Sequence, residues 1–126
     1  MAAPTWFDDL IDQLASPTYP IRQILAADGT PLGGDPGLSA DLTATMYRLM
    51  VLSREFDRRM LGLQRQGRLG TYPMLEGQEA VQVGSALALA QGDFVFPSYR
   101  EHGVQLARDV PVETVMSYWR GLPNDG

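Results

Sequence analysis

From Ala40 to Gln66 the residues Leu42, Met46, Leu49, Met50, Ser53, Phe56, Met60 and Leu63 recur at intervals of three and four. A helix completes a turn every ~3.6 residues, so this spacing collects them on one stripe and predicts a long amphipathic helix with a buried face. Ser39 stands where an N-cap is needed, and Gly67 falls just past the last turn. The opposite face carries Glu55 with Arg58 and Arg59 three and four positions on, the stabilising order for exposed ion pairs, which reads as a solvated surface.

Upstream the texture is different. Residues 1–38 hold Pro4, Pro17, Pro20, Pro31 and Pro36 together with Gly29, Gly33, Gly34 and Gly37, a density that breaks regular structure and predicts an extended arm. Within it, Ile21–Leu25, the Asp28-Gly29 turn signal and Thr30-Pro31-Leu32 predict a small hairpin. Residues 39–126 then read as the start of a single α/β domain.

Downstream of the long helix, Arg68–Pro73 is a connection in which Pro73 pushes Tyr72 towards extended geometry. Gly77-Gln78-Glu79-Ala80 opens a second helix to about Ala90, whose small residues Ala80, Gly84, Ala86, Ala88 and Ala90 predict burial on most sides. After a turn at Gln91-Gly92-Asp93, the apolar run Phe94-Val95-Phe96 predicts a short buried strand that Pro97 ends. Val104, Leu106 and Ala107 begin another helix, and Pro111 with Val112, Val115, Met116 and Trp119 marks one more. The expected fold class is therefore α/β, mostly helical, with one or two short strands.

Composition excludes several functions. A chain of 126 residues, 44% hydrophobic and 20% charged, is an ordinary globular domain or part of one. Its longest apolar-leaning stretch, Ala80–Ala90, is far shorter than the roughly 20 residues of a membrane-spanning helix. Met1–Leu10 has neither a basic start nor a long apolar core, so no secretory signal is expected and the expected location is cytoplasmic. A net charge of −5 disfavours nonspecific nucleic-acid or membrane binding. With no cysteine, one histidine (His102) and no lysine, thiolate catalysis, a multi-histidine metal site, a Walker-type phosphate loop and Schiff-base chemistry are all excluded within this chain.

Chemistry is expected at the carboxyl end of Phe94–Phe96, because ligands of open α/β sheets bind beyond the carboxyl ends of the strands. There Arg100 offers a forked pair of charge-assisted donors for a phosphate, and Tyr99 a hydroxyl on a rigid ring. The plainer alternative packs Tyr99 into the core and pairs Arg100 with Glu101 or another acid. His102 is a candidate acid, base or supporting polar group, with a satisfied structural histidine as its alternative. Glu79, at the start of a buried helix, calls for an arginine or backbone donors beside it. Ser85 and Ser98 have no base arranged with them, so a hydrolase is not supported.

These residues resemble the alpha subunits of thiamine-diphosphate-dependent 2-oxo acid dehydrogenases of the pyruvate and branched-chain types. The resemblance covers about Leu42 to Gly121 and rests on the order and spacing of four blocks: Met46–Met50 running to Phe56; Gln64-Arg65-Gln66-Gly67-Arg68; Gly77-Gln78-Glu79-Ala80 with Val83-Gly84-Ser85-Ala86; and Phe96–Gly103. It implies the N-terminal part of a thiamine-diphosphate-binding fold and an alpha-subunit segment of an oxidoreductase acting by decarboxylation. That enzyme passes the acyl group of a 2-oxo acid substrate to a lipoyl-bearing acyltransferase. It also implies a beta-subunit partner in a heterotetramer, and a cofactor held between subunits with Tyr99 and Arg100 on its diphosphate. In that block His102 takes a place at the catalytic site. Where many pyruvate-type members carry a histidine this chain has Pro73, so Thr71, Tyr72 and Met74 become the substrate-lining candidates. The magnesium ligands of the family, Gly-Asp-Gly and a later Asn, match nothing here, and Asn124-Asp125-Gly126 does not replace them. On this expectation the isolated chain holds half a diphosphate site. The alternative is a truncated, non-catalytic interaction module.

Overall fold

The computed structural model describes residues 23–34 and 36–123. The chain divides into two compact units, Met1–Gly37 and Leu38–Gly126. Of the expected hairpin, Ile21 and Arg22 lie outside the described residues, as does Asn124-Asp125-Gly126 at the other end. The rest closes as a tight turn. Leu25 and Pro31 form an antiparallel bridge, Ala26 N–H donates to the Thr30 carbonyl at 2.8 Å and Leu32 N–H to the Ile24 carbonyl at 2.8 Å. The Asp28 carboxylate accepts the Thr30 N–H at 2.9 Å, which lowers its pKa below the usual carboxylate value.

The second unit is built from four helices: α1 (Ala40–Arg65), α2 (Glu79–Ala88), α3 (His102–Ala107) and α4 (Val112–Trp119). The Ser39 hydroxyl accepts the Leu42 N–H at 3.1 Å and caps α1, while Gly67, at φ +70°, takes the left-handed conformation that ends it. The buried residues of α1, Ser53, Phe56, Asp57, Met60 and Leu63, all lie in its second half. Met60, Phe56 and Leu63 pack with Leu69, Tyr72, Leu106 and Val115 in one hydrophobic cluster, against which Val110, Val112, Met116 and Trp119 also lie. Removing this apolar surface from water is the main stabilising term of the unit. Helix α3 packs against both α1 and α2, and α4 packs on α3.

Two expectations are corrected. Phe94-Val95-Phe96 is not a strand; the segment is irregular, and Phe94 and Phe96 are 86% and 90% exposed. A strand needs a neighbour to satisfy its backbone groups, and among the described residues no second extended segment lies beside it. The observed unit is therefore all-helical among the described residues rather than α/β. Helix α2 is buried on one face only, that of Glu79, Gln82, Val83 and Ala86, whereas Val81 is 73% exposed. Its small residues permit close packing, but α1 and α3 cover just that one side. No described helix is long and apolar enough to cross a membrane.

Candidate functional site

The four residues before α3 form a turn organised by one carboxylate. Glu101 Oε2 accepts the backbone N–H groups of Ser98 at 2.8 Å, Tyr99 at 2.9 Å and Arg100 at 3.1 Å, and Ser98 Oγ donates to Oε1 at 3.3 Å. Partial desolvation pushes the Glu101 pKa up, but these donors together outweigh it and hold the carboxyl below its ordinary value. A charged Glu101 thus faces the main chain rather than the Arg100 guanidinium.

This frees the outer side of the turn. Tyr99 is 56% exposed, so it is not a core residue. The Arg100 guanidinium carbon lies 5.2 Å from the centre of the Tyr99 ring, stacking cation on π-face, and its NH1 donates to the Met74 carbonyl at 2.6 Å. None of the ion pairs among the described residues involves Arg100. A guanidinium has five N–H donors, so one carbonyl leaves most of the fork available to an anion. Tyr99, but not Arg100, also lines a cavity of about 160 Å³ together with Glu101, His102, Tyr118 and Trp119.

His102 sits beneath the turn, 2% exposed, with its ring stacked 5.1 Å from that of Tyr72 and edge-on to Trp119 at 5.2 Å and Phe56 at 6.1 Å. Its Nε2 is 3.2 Å from the Pro73 carbonyl; that oxygen only accepts, so Nε2 carries the proton. Burial lowers the His102 pKa and keeps the ring neutral near pH 7.

The segment carrying the three substrate-lining candidates is fixed from two sides. Asp57, a buried acid on α1, accepts the Tyr72 hydroxyl at 2.8 Å, the Leu75 N–H at 2.8 Å and the Glu76 N–H at 3.2 Å. Burial and this carboxylate drive the Tyr72 pKa well above the usual phenol value, so the hydroxyl stays protonated and donates. Arg100 and His102 hold the neighbouring carbonyls of Met74 and Pro73. Tyr72 is consequently buried, whereas Thr71 and Met74 are exposed. Glu79 has the cationic partner its burial demands: Arg54 Nε donates to it, the Gly77 N–H reaches it at 3.1 Å, and Arg54 also pairs with Glu76 at 3.2 Å. The Arg54 contact, followed by these backbone donors, lowers the Glu79 pKa despite desolvation. The pairing of Arg58 with Glu55 at 3.1 Å is the exposed one that the sequence predicts.

Two polar groups of this architecture have no counterpart among the sequence expectations, Asp57 and Gln82. Asp57 stands beside two arginines in a helix, a surface pattern, but it also lies four residues after Ser53 and three before Met60, on the buried stripe. Gln82 shares the buried face of α2 with Glu79 and Val83.

A helical platform that presents a guanidinium with no carboxylate partner among the described residues, and a phenol beside it on one carboxylate-bound turn, makes a candidate anion-binding module. Residues 47–125 match the Dehydrogenase E1 component family, and the chain belongs to that family. Over 107 residues, 82% of the chain, it is 41% identical to the 3-methyl-2-oxobutanoate dehydrogenase subunit alpha of Mycobacterium tuberculosis. It is 39% identical over 84% of the chain to the mitochondrial 2-oxoisovalerate dehydrogenase subunit alpha of Mus musculus, and 38% identical over 75% to the corresponding subunit of Pseudomonas aeruginosa. The match spans 29%, 24% and 23% of those proteins respectively.

Proposed function

We propose that this chain is the N-terminal part of the alpha subunit of a branched-chain 2-oxo acid dehydrogenase, and that Tyr99 and Arg100 hold the diphosphate of thiamine diphosphate. The observation that carries this reading is the state of Arg100: partly exposed, without a carboxylate partner among the described residues, and stacked on Tyr99. Glu101, the next residue, is committed to the backbone, which leaves the guanidinium open to an anion. When bound, the cofactor supplies the carbon nucleophile and the electron sink for decarboxylating a 2-oxo acid. Arg100 binds and neutralises phosphate oxygens, with the Tyr99 hydroxyl as a second, oriented donor. His102 supports the site by holding the Pro73 carbonyl, and the exposed Thr71 and Met74 are the side chains that would meet the substrate. A beta subunit and a lipoyl-bearing acyltransferase belong to the same reading as the partners expected of the family, and magnesium with them, its ligands having no match in this chain; the names of the relatives, dehydrogenases of 3-methyl-2-oxobutanoate and 2-oxoisovalerate, favour a branched-chain 2-oxo acid over pyruvate. A non-catalytic interaction module remains the second reading, favoured by the exposed Phe94 and Phe96.

The test is a titration of the 126-residue chain with inorganic pyrophosphate, followed by NMR at the Arg100 side chain and the Tyr99 amide. Saturable shifts at both are expected in the parent, with the Tyr99 shift lost in Arg100→Ala; a Tyr99 shift of unchanged affinity in that variant would place the anion elsewhere.

A further inference from the structure

The turn that presents Tyr99 and Arg100 is held by Glu101 and, independently, by a buried side chain from α2. Gln82, 5% exposed on α2, reaches across to the start of α3. Its Nε2 donates to the Arg100 carbonyl at 3.0 Å and its Oε1 accepts the Gly103 N–H at 2.8 Å. The second Nε2 proton goes to Gln78 Oε1 at 3.2 Å. One carboxamide thus bridges the two ends of the Arg100–Gly103 stretch, using both donors and its acceptor. Glutamate at this place keeps the acceptor and loses the donor; methionine keeps the length and loses both. The contact is close on the other face too. A Cβ built on Gly103 would lie 2.9 Å from Gln82 Oε1 and 3.2 Å from Ser53 Oγ, so glycine is what lets the amide seat against the helix.

We infer that Gln82 is a positioning residue for the anion clamp: it sets where Tyr99 and Arg100 point without touching the ligand. This rests on the diphosphate role proposed for that pair. The physical reason is leverage. Fixing the Arg100 carbonyl fixes the peptide from which the guanidinium extends, and a displacement of about 1 Å in a preorganised donor is enough to weaken the contact it makes. Gln82 comes from a different helix from the clamp, so the clamp's orientation is set by how α2 and α3 pack.

Three variants of the 126-residue chain decide the matter: Gln82→Met, Gln82→Glu, and Leu63→Ala as a control that weakens the core away from the turn. Each is followed by thermal melting, by NMR of the Tyr99, Arg100 and Gly103 amides, and by titration with inorganic pyrophosphate well below its melting temperature. In Gln82→Met the Gly103 amide loses protection from exchange, the Tyr99 and Arg100 signals move, and pyrophosphate affinity falls about tenfold, the loss expected for one misplaced charge-assisted contact. Gln82→Glu keeps the Gly103 acceptor but sets a carboxylate oxygen against the Arg100 carbonyl and adds negative charge beside the clamp, so its affinity falls at least as far as that of Gln82→Met. Leu63→Ala melts earlier yet binds as the parent does. The inference is overturned if the Gln82 variants bind pyrophosphate like the parent, or if Leu63→Ala loses as much affinity, which would make the effect one of general stability. Should the parent itself show no pyrophosphate response, the diphosphate role falls, and the positioning claim is then decided by the amides alone: unmoved Tyr99 and Arg100 signals in Gln82→Met refute it.

Discussion

A single carboxylate, Asp57, ties α1 to the segment that leads into α2. It serves one hydroxyl and two backbone N–H groups while almost fully buried, so its removal leaves the buried Tyr72 hydroxyl and Leu75 N–H without a partner and frees the part-buried Glu76 N–H as well. Asp57→Ala is therefore expected to destabilise the fold by about 3 kcal/mol, and Tyr72→Phe, which removes only one of the three bonds, by about 1 kcal/mol. Urea denaturation monitored by far-UV circular dichroism measures both; equal losses would mean that the two backbone bonds contribute nothing. In the sequence Tyr99 and Arg100 are phosphate-binding candidates beside the plainer alternative of a core tyrosine and a paired arginine, and it is the order of the family's blocks that singles them out. Asp57 stayed hidden because its neighbours Arg58 and Arg59 are those of a surface acid, and only its register relative to Ser53 and Met60 betrays it. Glu79 was legible for the opposite reason: an acid opening a helix of small residues requires a partner, and Arg54 is that partner.

Among the elements, periodicity and caps carried α1 almost residue for residue. The cap makes an exposed but measurable contribution: Ser39→Ala should lower stability by about 1 kcal/mol and loosen the first turn, visible as faster amide exchange at Leu42. Gly103→Ala is expected to cost about 1–3 kcal/mol, because the added methyl meets the Gln82 carboxamide where that amide is bonded to the Gly103 N–H. A variant as stable as the parent would show that the contact relaxes freely. The strand at Phe94–Phe96 was the element that local reading placed wrongly. An apolar run bounded by a turn and a proline has the composition of a buried strand, but strand formation is a property of a pair, and composition does not supply the partner. The exposure of Phe94 and Phe96 is the physical remainder of that unmet requirement.

For the molecule as a whole, ordered blocks of sequence identified the family where composition alone reached only a globular domain, since the blocks mark the places where helix ends and loop carboxylates must meet. Its electrostatics predict how it responds to acid. His102 has a lowered pKa in the fold, so both states are neutral above about pH 6.5 and stability is whole there; below that value the unfolded chain takes up a proton that the buried ring resists, and stability falls as pH drops towards the lowered value. Glu79 and Glu101, also lowered, add a second loss as pH falls through and below their ordinary value of 4.5. Melting temperatures should thus decline from pH 7 to pH 5 in the parent, and less so in a folded His102→Gln variant; identical slopes would remove the histidine from this account. The central assignment, that Tyr99 and Arg100 grip a diphosphate, is tested most directly by calorimetric titration of thiamine diphosphate and of thiamine into the parent chain and into Arg100→Ala. The expected result is a preference for thiamine diphosphate in the parent that shrinks about tenfold or more in the variant. An equal preference in both proteins would contradict it.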